Sequence, residues 1–181
     1  MNCWKSINLV KEFGYYRLLF ISFLIGLFAF ILLYVPVSIS HHASHVKESG
    51  FLVFIVALLL LPAIHSLTHI FPLIIMNKQV KIVCKVKNRL LPVFSYYTKY
   101  LLTKRTSLFV ALAPTLFITI PGIAASCFYV DYYVYILLFT AAHIGFSFLD
   151  ILYVANIVKA PKRAYIEYGD NGFDILLKAS H

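Results

Sequence analysis

Four long apolar stretches divide the chain, and the polar residues collect between them. Leu18 to about Ile39 comes first, followed by Phe51–Met76, Ser107–Val130 and Tyr132–Val158. A helix needs about 20 apolar residues to cross a hydrocarbon layer about 30 Å thick, and each stretch is long enough. The pattern predicts an all-α membrane protein with four transmembrane helices, spanning about 18–39, 51–76, 107–130 and 132–158. The fourth would be about 40 Å long as one helix, so it is expected to tilt or protrude. The connection at Asp131 is short enough to make the third and fourth helices antiparallel neighbours.

The intervening segments carry their own patterns. Residues 1–17 are mixed and basic, with Trp4, Tyr15 and Tyr16 as interfacial anchors. Ser38-Ile39-Ser40 loosely resembles a signal cleavage site, but the apolar core before it is longer than usual, and a retained helix is expected. His41–Gly50 is a polar loop, with His41, His42 and His45 read as solvated. In the loop 77–106, Val80, Ile82, Cys84 and Val86 alternate with Lys81, Val83, Lys85 and Lys87, a period of two. With Asn88-Arg89 as a turn and Pro92 limiting the return strand to an edge, this reads as an amphipathic β-hairpin; a basic loop with a short amphipathic helix is the alternative. In the tail 159–181, Tyr165–Tyr168 and Phe173–Leu176 flank Gly169-Asp-Asn-Gly172, a second hairpin signal.

Composition narrows the class. The chain has 181 residues, 61% hydrophobic and 13% charged, against about 25% charged in a soluble domain. One integral membrane domain, residues 1–181, accounts for that length. The net charge of +9 points away from nucleic acid, because the basic residues lie between apolar runs and not on a soluble face. Of the 16 Lys and Arg residues, all but Lys47 fall in residues 1–17, the loop 77–106 or the tail. Both termini and that loop are therefore expected in the cytoplasm of a multi-pass cell-membrane protein, against an anionic inner leaflet. Three cysteines without metal spacing, Cys3, Cys84 and Cys127, imply no disulfide framework, and no GxGxxG or GxxxxGK pattern indicates a nucleotide site.

The chemistry lies inside the spans. Phe51–Met76 contains no Lys, Arg, Asp or Glu, yet holds His65-Ser-Leu-Thr-His69, two imidazoles on one helical face. Pro62 and Pro72 deprive the carbonyls of Leu58 and Thr68 of their helical partners. Counting from the outer ends at 1.5 Å per residue puts His65 and His69 about 21 and 27 Å deep, His143 about 17 Å and Asp150 about 27 Å. Asp150 is the one carboxylate within a span, where an unpartnered charge costs about 2.5–3.5 kcal/mol on insertion scales. His65, His69 and Asp150 thus form a candidate three-ligand zinc site with an open fourth position. Metal-free alternatives are imidazole–carboxylate pairing with Asp150, or histidines bonded to the prolyl-freed carbonyls.

With these motifs the chain resembles a zincin peptidase family of small bacterial membrane proteins, more distantly similar to site-2 intramembrane proteases. The resemblance rests on His65-Ser-Leu-Thr-His69, Lys104-Arg-Thr-Ser-Leu-Phe-Val-Ala-Leu-Ala-Pro114, Gly145-Phe-Ser-Phe-Leu-Asp150 and the tail from Lys159 to Phe173. It implies zinc on His65 and His69 with Asp150 as third ligand, and a surface hairpin, here about residues 80–95, that pairs with an extended peptide. It also implies a Glu directly after the first histidine as general base, and here that residue is Ser66. His143 is the residue type left to substitute as a base, about two turns from Asp150. The leading expectation is a non-catalytic membrane protein on a metalloprotease-like scaffold, its site used for structure, sensing or binding a membrane protein or peptide. The alternatives are an active membrane-embedded zinc metalloprotease with a base other than Glu, and a small proton or metal transporter.

Overall fold

A computed structural model describes residues 2–42, 47–76, 81–88, 91–97, 101–169 and 172–177, with only the backbone of 81–88 and 91–97. The expected His45, Val80, the turn residue Arg89, and Asp170 and Asn171 lie outside the described residues.

The chain is mostly helical. Strand β1 (Asn2–Ile7) and the short helix α1 (Leu9–Phe13) lead through Gly14, at φ 80°, into the 26-residue helix α2 (Tyr15–Ser40). Helix α3 (Gly50–Ile75) is equally long. Strands β2 (Lys81–Asn88) and β3 (Leu91–Tyr97) follow, then β4 (Leu102–Thr103). The third apolar stretch is continuous over Lys104–Phe128 but changes pitch: α4 (Lys104–Pro114), a π-helical turn (Thr115–Thr119) and α5 (Ile120–Phe128). Helices α6 (Tyr133–Phe146) and α7 (Phe148–Lys159) come next, then strands β5 (Ala164–Gly169) and β6 (Gly172–Leu177).

Three helices are long and apolar enough to cross a membrane, or four if α6 and α7 count as one span. Their apolar side chains largely face outward; Phe23 is 66% and Leu52 73% exposed. In water such surfaces would drive association, whereas lipid solvates them as well as a core does. Helix contacts are accordingly made where side chains are small. Gly26 and Gly145 meet where α2 crosses α6, and a Cβ on Gly145 would stand 2.5 Å from the Ser22 carbonyl oxygen.

Two sequence expectations need correction. The fourth stretch is not one helix: α6 and α7 meet at an angle of 44° around Ser147. No proline marks the bend; Gly145 and Ser147 supply the small residues at which helices commonly kink. Nor is the fold all-α. The tail hairpin forms as expected, Glu167 opposite Asp174 and Gly169 opposite Gly172, but it is the centre of a four-stranded antiparallel sheet in the order β1-β6-β5-β4. Its inner face packs Ile7, Ile166, Phe173 and Ile175 on Leu18 of α2 and Ile157 of α7. The sheet thereby ties the N-terminal segment, the residues before α4 and the tail to one end of the helices. At the other end the Lys47 ammonium lies 2.6 Å from the Asp131 carboxylate, joining the two short loops. The basic loop holds the expected hairpin, Lys81 opposite Tyr97 and Lys85 opposite Val93.

Candidate metal centre

Side chains or backbone of α4, α6 and α7 meet the two histidines of α3. His65 and His69, one turn apart, are 6% and 5% exposed, and their Nε2 atoms stand 3.3 Å from each other. Asp150, in the first turn of α7, places Oδ2 3.2 Å from His65 Nε2 and Oδ1 3.4 Å from His69 Nε2. Donors held tetrahedrally about 2.0–2.2 Å from an ion are roughly 3.3–3.6 Å apart, so the spacing fits a common metal ligand set. Asp150 Oδ2 is buried without an aligned hydrogen bond, as expected for a carboxylate oxygen directed at a cation rather than at an N–H.

The other ring nitrogens have partners that define what each imidazole can offer. His69 Nδ1 lies 2.8 Å from the carbonyl oxygen of Val110 on α4. A carbonyl only accepts, so Nδ1 carries the proton and neutral His69 presents a lone pair at Nε2. This carbonyl is available because residue 114, four positions on, is a proline without an N–H. His65 Nδ1 lies 3.2 Å from His143 Nε2, and His143 Nδ1 lies 2.9 Å from Thr119 Oγ1 at the end of the π-helical turn. Ser147 Oγ is 3.3 Å from His143 Nε2, and Phe146 packs edge-on against the His65 ring.

The structure thus brings together His65, His69 and Asp150, as depth counting anticipated. It also places His143, the expected substitute base, with its Nε2 3.2 Å from His65 Nδ1, on the side away from the three donor atoms. The prolyl-freed carbonyl that engages a histidine belongs to Val110, rather than Leu58 or Thr68. Val110, Thr119 and Ser147 were missed, although Pro114 in the third apolar stretch signalled the free carbonyl. Ser66, where a catalytic Glu would stand, donates its hydroxyl to the Pro62 carbonyl at 2.8 Å, back along its own helix. Beside the centre, Tyr168 of β5 packs with Leu73, Leu102 and Val110; burial pushes its phenol up to about 12, with Ser107 pulling the other way.

A family model described as "Putative zincin peptidase" matches residues 58–165, a span containing every residue of this centre. The chain belongs to that family. No curated protein and no solved structure matches it. Zincin membership makes zinc the metal to test against these donors. The two imidazoles and the carboxylate suit it, since zinc takes nitrogen and oxygen ligands and leaves a fourth position open where three residues bind.

Proposed function

We propose that this protein is a multi-pass membrane protein that keeps the metal site of a zincin but not its peptide hydrolysis. His65, His69 and Asp150 hold zinc, and the site serves structure, sensing or binding of a membrane-protein or peptide partner. Both termini and the basic loop lie in the cytoplasm of a bacterial cell, next to anionic lipid, in keeping with the distribution of Lys and Arg.

The observation that carries the non-catalytic half is the state of position 66. Bound zinc would polarise a carbonyl and activate water, but hydrolysis also needs a base to take the proton and return it to the leaving amine. The Ser66 hydroxyl cannot do this near neutral pH and is turned to the Pro62 carbonyl. Among the described residues the other carboxylates, Glu12, Glu48, Asp131, Glu167 and Asp174, belong to the helix ends, loops and strands rather than the centre. His143 does not replace the Glu, because its Nε2 faces the His65 ring and Ser147 instead of the open position.

Metal content and cleavage of a membrane-anchored peptide, measured on wild type, His65→Ala and Ser66→Glu, test this reading. The expected result is one zinc per wild-type chain, lost in His65→Ala, with cleavage appearing only in Ser66→Glu. Wild-type cleavage that disappears in His65→Ala overturns the non-catalytic half. Substoichiometric zinc that His65→Ala leaves unchanged overturns the metal half.

A further inference from the structure

We propose that His143 is the positioning residue of the metal site: with Thr119 behind it, it sets the tautomer in which His65 can bind an ion. This rests on the zinc reading above and assigns a role to two residues outside the ligand set.

A neutral imidazole has one N–H and one lone pair. For His65 to direct its Nε2 lone pair at the ion, Nδ1 must carry the proton and find an acceptor. The group within reach is His143 Nε2, at 3.2 Å. If that nitrogen accepts, the proton of neutral His143 is on Nδ1, 2.9 Å from Thr119 Oγ1, which accepts in turn. Every N–H in the series then points away from the three donor atoms. The opposite direction, from Thr119 through His143 to His65, would leave a proton on His65 Nε2 and no lone pair for an ion. His69 Nε2 and Asp150 Oδ2 lie 3.3 and 3.2 Å from His65 Nε2, so an ion held among these three donors requires the ligating direction.

The surroundings hold this arrangement. His143 is fully buried and Thr119 is 7% exposed, so water does not compete for either contact. Thr119 closes the π-helical turn after Pro114, and single π turns are frequent where a helix must re-aim a side chain at a functional site. Gly145, two residues beyond His143, lets α6 approach α2 closely and fixes the depth of that helix. Ligating histidines commonly donate their second N–H to a carbonyl or carboxylate, and replacing such a partner lowers metal affinity by about 10–100-fold. His69 uses the Val110 carbonyl in this way. For His65 the partner is another histidine, which must itself be oriented, and Thr119 does so.

The test is zinc affinity of the purified full-length protein in detergent, measured by chelator competition, for wild type, His143→Leu, His143→Gln, Thr119→Val and Thr119→Ser. Size-exclusion profile and helical circular dichroism monitor folding. His143→Leu should weaken zinc binding about 10–100-fold. His143→Gln should restore most of it, because its amide oxygen can accept from His65 Nδ1–H. Thr119→Val should weaken binding and Thr119→Ser should recover it, a comparison that decides the matter alone if His143→Leu does not fold. Wild-type affinity in His143→Leu, or equal weakness in the Leu and Gln variants, overturns the positioning role while the metal site stands. A wild-type chain that binds no zinc overturns both.

Discussion

His69 Nδ1 lies 2.8 Å from the carbonyl oxygen of Val110, an acceptor that Pro114 leaves without a backbone donor. A defect in one helix thus orients a candidate ligand on another, and buried polar groups on both are satisfied together. The same break continues into the π-helical turn ending at Thr119, which contacts His143.

Replacing Pro114 tests that dependence. Pro114→Ala returns an N–H that competes with His69 for the Val110 carbonyl. Zinc affinity should fall about 10-fold, in the range of other outer-shell losses. The metal-free protein should melt no lower than wild type, since a helix-interior proline is unfavourable by about 3 kcal/mol relative to alanine. Unchanged affinity would show that His69 needs no such tether.

Asp150→Asn removes the carboxylate charge with little change in shape. In wild type, zinc at 100-fold over its Kd should stabilise the fold by about 2.7 kcal/mol. The zinc-induced shift in melting temperature should be largely absent in the variant. A shift of wild-type size would exclude Asp150 from the ligand set.

Gly145→Ala probes the crossing of α2 and α6. The added Cβ would stand 2.5 Å from the Ser22 carbonyl oxygen and 3.1 Å from Gly26 Cα. The helices must separate, at a cost of about 1–3 kcal/mol typical of overpacking. That outweighs the gain of up to about 1 kcal/mol in helix propensity. Thermal melting in detergent should show a lower midpoint, and an increase would contradict the close crossing.

Tyr168 gives the alkaline limb of stability a specific origin. Burial raises its phenol from 10.0 to about 12 in the folded chain, so folding favours the protonated form. Stability from this group is fully present below pH 10 and is lost as pH rises toward 12. Among the 13 tyrosines, Tyr168 should ionise late, and Tyr168→Phe should remove a late component of the tyrosinate absorbance titration. A titration identical to wild type would contradict its burial.

Much of the architecture was readable along the chain because it depends on length and rise. Apolar runs long enough to span, Leu18–Ile39 and Phe51–Met76 among them, became α2 and α3, and both hairpins lie where alternation and turn residues put them. A fixed rise per residue also made the common depth of His69 and Asp150 countable, and the two side chains meet. Lateral arrangement was not countable in this way. The partnership of His65 with His143, and of His143 with Thr119, depends on which helix faces which, and that follows from close contacts such as Gly26 with Gly145. The 44° bend at Ser147 came without a proline, and β1 joined β6 from the far end of the chain although Asn2–Ile7 buries only Ile7. Sequence by itself determined the candidate donor residues, their common level along the helices and the absence of a Glu at position 66. Tertiary packing alone decided how each imidazole is held, because a side chain's second hydrogen bond is made to whatever neighbouring helix the bundle brings within reach.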